Sequence, residues 1–187
     1  MNQNMVGPSE IVAINEIEAS RTLHIARKLL SLWGKFHITD GAGTVLYECT
    51  SKWAWFNPPW TLTRDGKEVA VFKRKLWAFA STWNVETEDN SFTLRSKLWT
   101  FRRQISVQGG AFDGAVLTGN LFDMKFELTW HGQVLAKAHG KVLSFRARHD
   151  IVLLESAPQV ELFTAILMAN LLVEKGEEHD GHSAIAD

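Results

Sequence analysis

Apolar and polar residues alternate along most of this chain, in a phase that resets about every 23 residues. The marker of each unit is a lysine followed by a short apolar cluster: Lys28-Leu-Leu-Ser-Leu, Lys52-Trp-Ala-Trp-Phe, Lys75-Leu-Trp-Ala-Phe, Lys97-Leu-Trp-Thr-Phe and Lys141-Val-Leu-Ser-Phe. A degenerate copy, Asn120-Leu-Phe-Asp-Met, fills the one gap. Eight residues past each marker stand Phe36, Trp60, Trp83, Ile105, Leu128 and His149; ten past stand Ile38, Leu62, Val85, Val107, Trp130 and Ile151. The residues between, such as His37, Thr61, Asn84, Ser106 and Asp150, are polar. Alternation of period two in a constant phase predicts a strand with one buried face in every unit. Asp40-Gly41-Ala42-Gly43, Asp65-Gly66, Asp89-Asn90, Gly109 to Gly114 and His131-Gly132 supply turns, after which a second run returns to the next marker. Each unit is thus two strands, and six units make about twelve.

The pattern changes once, after Ser156. From Val160 to Val173 only Glu161, Thr164 and Asn170 interrupt an apolar run, preceded by Ser156, Pro158 and Gln159 as start signals and followed by Gly176 as a stop. A helix apolar on every side must be buried on every side. Its apolar part spans only about 21 Å, against a bilayer core of roughly 30 Å, which favours a protein interior over a membrane span. Twelve hairpin-linked strands hide their edges by closing, and a barrel that wide needs a filling. The expected fold is mainly β: a closed, roughly twelve-stranded antiparallel barrel from six hairpin-like repeats, filled by the C-terminal hydrophobic helix. Residues 1–21 are read as a lead-in, 22–176 as the barrel domain and 177–187 as an acidic disordered tail.

The repeated Lys-Leu-x-Ser/Thr/Ala-Phe/Leu units, Phe36-His-Ile-Thr-Asp-x-x-Gly43, Arg64-Asp-Gly-Lys-Glu-Val69 and the late apolar helix resemble the LURP-one-related family. That family falls in the tubby C-terminal-like superfamily, with the phospholipid scramblases as relatives. The resemblance spans about residues 24–175 and implies a twelve-stranded barrel around a central helix. Asn120 in place of lysine and His149 in an apolar position depart from the pattern. Tubby relatives bind phosphoinositide headgroups and scramblases act at membranes, but no binding motif of theirs aligns residue by residue here, and fold alone carries no function across.

Composition sharpens this in three ways. Eight Trp and eleven Phe against one Tyr suit strands and a bulky core, so Trp60, Trp77, Trp83 and Trp99 are expected inside. Trp53 and Trp55, beside Pro58 and Pro59, are the tryptophans expected at the surface. The single Cys49 excludes an internal disulfide, and the N-terminus lacks the basic and apolar regions of a signal peptide, so cytoplasmic placement, at most peripheral to a membrane, is expected. Net charge is −1, yet residues 22–149 carry an excess of eight positive charges while both tails are acidic.

The cations concentrate in Lys73, Arg74 and Lys75, with Arg95 and Lys97 one unit on and Arg102 and Arg103 past the next bend. Charged donors converging in this way suit the phosphoryl oxygens of an anionic lipid headgroup. The competing reading is that the lysines cap strand bends and lie over the aromatic clusters. The histidines lack metal-ligand spacing, and no nucleophile elbow, P-loop, zinc-protease or dinucleotide fingerprint appears. The expectation is therefore a non-enzyme without metal or cofactor: a binding or membrane-proximal scaffold module with anionic phospholipid as the leading partner. A structural or protein-interaction module is the alternative, and weak nucleic-acid binding is disfavoured by the modest charge and acidic tail.

Overall fold

The computed structural model describes residues 22–26, 35–51, 57–78, 80–99, 102–120, 125–140, 148–155 and 157–183. The lead-in, Trp53, Trp55 and Ser156 lie outside them. Twelve strands run in order: β1 (Thr22–Ala26), β2 (Lys35–Thr39), β3 (Val45–Ser51), β4 (Trp60–Arg64), β5 (Lys67–Arg74), β6 (Thr82–Thr87), β7 (Ser91–Trp99), β8 (Arg102–Gln108), β9 (Val116–Asn120), β10 (Lys125–Trp130), β11 (Gln133–Gly140) and β12 (Arg148–Leu153). Each pairs antiparallel with its neighbours in sequence, and β1 pairs with β12 to close the barrel. The closing seam is held by backbone pairing from Thr22 against Val152 to Ala26 against Arg148, with His24 Nδ1 placed 2.6 Å from Asp150 Oδ1.

Alternation puts Phe36, Ile38, Trp60, Leu62, Trp83, Val85, Ile105, Val107, Leu128 and Ile151 in the core, as the repeat predicts; Trp130, near a hairpin, is half-buried. The tight hairpins follow their chemistry. Asp65-Gly66 and His131-Gly132 both carry positive φ at both residues (50° and 76°, 48° and 79°), the pattern of a type I′ turn. The barrel therefore has two unlike ends. At the hairpin end lie these short turns and the turn at residues 40–43, and the ladders beside the three shift register after Ile38, Leu62 and Leu128, adding local twist. At the opposite end, here the bend end, the described markers Lys75, Lys97 and Asn120 stand where β5, β7 and β9 run out. The register shifts are at the other end, where a hairpin must curl two strands onto a closed wall.

Helix α1 (Pro158–Ser183) enters at the hairpin end and runs down the lumen. Pro158 takes its first position, and the helix continues through Gly176, where an αL stop was expected; one glycine inside a helix costs only about 1 kcal/mol. From Phe163 to Glu174 every residue is buried, so the helix has no outer face. Phe112, from the loop between β8 and β9, stacks on Phe163 at 4.2 Å between centroids and closes the hairpin end over the helix start. Among the described residues no helix is long and apolar enough to cross a membrane.

Candidate functional site: the basic bend end

Strand register fixes where each predicted cation stands. On β7 the outward residues include Arg95 and Lys97; Arg95 faces Thr82 of β6 and Ser106 of β8, and Lys97 faces Gln104. Arg102 opens β8 opposite Trp99, one outward position beyond Gln104, and so lies diagonal to Lys97. Lys73 faces Asn84, which faces Thr93, the outward neighbour of Arg95. The Lys75 N–H extends the ladder to the Thr82 carbonyl at 2.7 Å, which sets Lys75 two strands from Arg95, roughly 10 Å at the usual strand spacing. Arg74 ends β5 in the inward phase but at the rim, where it is exposed. Six of the seven cations thus occupy one end of the wall made by β5–β8, and all six are exposed.

Arg103 is elsewhere. Its side chain is 5% exposed and points inward, where Nη1 donates to Glu174 Oε2 at 2.6 Å. Ser96 Oγ donates to the same carboxylate oxygen at 3.1 Å, while Trp83 Nε1 at 2.8 Å and the Ser81 hydroxyl donate to Oε1. Four wall groups from β6, β7, β8 and the β5–β6 loop so converge on the last fully buried turn of α1. This pair is the functional-site feature that residue types alone do not announce. Its signal is phase: stepping back by two from Ile105 puts Arg103 on the inner face.

Charge is segregated along the barrel axis. The described residues at the bend end include Lys35, Lys73, Arg74, Lys75, Arg95, Lys97, Arg102 and Lys125, and the acids nearest them are Glu127, level with Lys97 by register, and Glu48, beside Lys35. The hairpin end carries Asp40, Asp65, Glu68, Glu86, Glu88, Asp89, Asp113 and Glu155 against Arg64 and Lys67. Both of these acids are paired: Lys35 binds Glu48 at 2.6 Å, which holds the Glu48 carboxyl below its ordinary range, and Lys137 binds Glu127 at 3.1 Å. Among the described residues no ion pair is recorded for Lys73, Lys75, Arg95, Lys97 or Arg102.

The tryptophans divide. Trp60 and Trp83 are in the core, but Trp77, expected there, is fully exposed at the tip of the β5–β6 loop, with Leu76 beside it 37% exposed. The expectation fails because Trp77 sits two residues past the marker, in a turn where no wall exists to pack against. No group of three or more His, Cys, Asp or Glu gathers among the described residues.

A closed barrel threaded by its own helix, with one cationic rim, defines a binding or scaffold module. The chain belongs to the LURP-one-related family, which it matches over residues 21–172. A crystal structure of a protein from Arabidopsis thaliana shares the fold, with a TM-score of 0.58 at 15% identity, over 83% of this chain and 93% of that one. No curated protein matches the sequence.

Proposed function

We propose that the protein is a non-catalytic module that binds anionic phospholipid headgroups, phosphoinositide-like in charge, through the bend end of its barrel. The observation that carries this reading is the grouping of Lys73, Lys75, Arg95, Lys97 and Arg102, exposed and without recorded ion pairs among the described residues, on one end of β5–β8. Arg74 stands with them at the rim. Cations held on adjacent strands keep fixed spacing, so several reach one polyanionic surface at little cost in backbone order. Each basic residue near an anionic leaflet contributes about 1 kcal/mol, screened within a Debye length of about 10 Å at 0.1 M salt. Arg103, committed to Glu174, takes no part.

Sedimentation with vesicles tests this. Phosphatidylcholine vesicles containing a phosphoinositide are expected to carry the protein down, phosphatidylcholine alone is not, and binding falls steeply as salt rises. Lys97→Glu with Arg102→Glu should reduce binding by tenfold or more. Equal binding to both vesicle types, or none to either, overturns the reading. Protein interaction is the second reading, favoured by the acidic hairpin end, which faces away from any membrane the bend end would meet.

A further inference from the structure

Trp77 has a conformation and an exposure that the fold does not account for. Its φ of 68° lies in the left-handed region, uncommon for any residue but glycine and an outlier for a bulky one. Its side chain is 100% exposed, so no packing on the ring repays that strain. Leu76 adds a second exposed apolar side chain at the same tip.

The loop beneath the tip is braced. The Lys75 N–H bonds the Thr82 carbonyl at 2.7 Å, closing its base, and Asn57 Nδ2 reaches across from the preceding bend to the Arg74 carbonyl at 2.9 Å. On the return side, the Ser81 hydroxyl donates to Glu174 and the Ser81 carbonyl accepts from the Ser96 N–H at 2.8 Å. The tip is therefore held outward by the wall and by the helix core.

We infer that Leu76 and Trp77 form a wedge that enters the interfacial layer of an anionic bilayer when the bend end docks on it. The inference rests on the headgroup reading and adds the membrane itself as the source of the anion. Charge complementarity selects this occupant over an uncharged apolar partner: Lys73, Arg74 and Lys75 precede the tip in the chain, and Arg95 and Lys97 stand two strands away. An indole prefers the headgroup level of a bilayer, where its ring is buried and its N–H remains wet. Cations lying beside it then reach the phosphates of the same leaflet, a division of labour in which two signals give firmer attachment than either alone.

The test uses the full chain with phosphatidylcholine vesicles containing a phosphoinositide, the phosphatidylcholine acyl chains carrying bromine at defined depths, which quenches inserted tryptophan. Wild type is expected to bind and to be quenched most by the shallowest bromines. Trp77→Phe should bind within a few-fold of wild type yet lose that quenching, and Trp77→Ala should bind about 10- to 100-fold more weakly, as loss of one large buried apolar side chain implies. Because Trp77 touches nothing in the barrel, the variants keep the wild-type thermal transition. If wild type binds anionic vesicles but is quenched no more than Trp77→Phe, the wedge is overturned while headgroup binding stands. If wild type binds no anionic vesicle at low salt, headgroup binding falls and the wedge with it. A dimer in sedimentation velocity that Trp77→Ala abolishes, without vesicle quenching, assigns the tip to a second copy of the chain and also overturns the wedge.

Discussion

Cys49 and Tyr47 are adjacent inward residues of β3, and both bury an ionisable hydrogen. Burial pushes the Cys49 thiol well above its ordinary range. Burial likewise raises the Tyr47 phenol, helped by its hydrogen bond to Glu161 and by that carboxylate's charge, with Arg64 opposing. Both groups keep their protons in the folded state where the unfolded chain would lose them. Their contribution is fully present below the unfolded values, about 8.5 for Cys and about 10 for Tyr, and is lost as pH rises beyond them. The urea midpoint is therefore expected to be flat from about pH 7 to 8 and to fall above about pH 9, with Tyr47→Phe shrinking the part of the fall above pH 10. A thiol reagent should leave Cys49 untouched in the native protein and react fully in denaturant; rapid native reaction would contradict the buried placement. At this scale the sequence is legible wherever alternation governs. Phe36, Leu62, Trp83 and Ile105 are where their phase puts them. It fails for Trp77 and Arg103, because composition spoke for each (indole inside, guanidinium outside) while backbone position decided the reverse.

Helix α1 shows how an element with no polar face is still fixed in place. Near the hairpin end Glu161 Oε1 accepts from Tyr47 Oη at 2.8 Å and from Arg64 Nη1 at 3.2 Å. Near the bend end Glu174 accepts from Arg103, Ser81, Ser96 and Trp83. The two carboxylates stand about 20 Å apart along the axis, at about 1.5 Å rise per residue. Apolar packing alone permits a helix to slide or rotate among similar side chains; two polar fastenings set its depth and its angle. Removing one partner of the buried pair leaves a charge without compensation, so Arg103→Met should cost about 3–5 kcal/mol in denaturant unfolding. The double variant Arg103→Met with Glu174→Leu should recover more than half of that loss. The remainder reflects Trp83 Nε1 and the two serine hydroxyls, which then have no acceptor. A loss in the double variant equal to the sum of the losses in Arg103→Met and Glu174→Leu would mean the pair is not coupled. The helix itself is plain in the sequence as an unbroken apolar run, whereas its fastenings are not. They depend on which strand residue meets which turn of the helix, and only the closed barrel brings those together.

On the scale of the molecule, closure follows from counting. Six repeats in one phase give an even set of strands, hairpin turns leave β1 and β12 as edges, and pairing them removes both. The helix then completes a core shared by all twelve strands, so a fault in it is felt everywhere. Leu167 is wholly buried, and Leu167→Asp puts an unpaired carboxylate there. Its cost is several kcal/mol against a typical total of about 5–15 kcal/mol. That variant is expected to lose its cooperative thermal transition in circular dichroism and to bind an apolar dye; a sharp transition near that of wild type would place the helix outside the barrel. The axial separation of charge was half legible. The excess of cations shows in the sequence, but their gathering at one end becomes visible only once strand direction assigns each residue to a rim.

The order of the elements has a consequence for how the protein is made. The wall is synthesised before its filling: Leu23 leaves the ribosome well over a hundred residues ahead of Val160. At about 5–20 residues per second, the inner faces of the early strands wait roughly ten to thirty seconds for the helix that covers them. During that time the nascent chain presents an open, apolar, strand-rich sheet whose first edge has no mate until β12 emerges. Folding in the cell is then expected to be largely post-translational and to draw on chaperones that hold extended apolar segments.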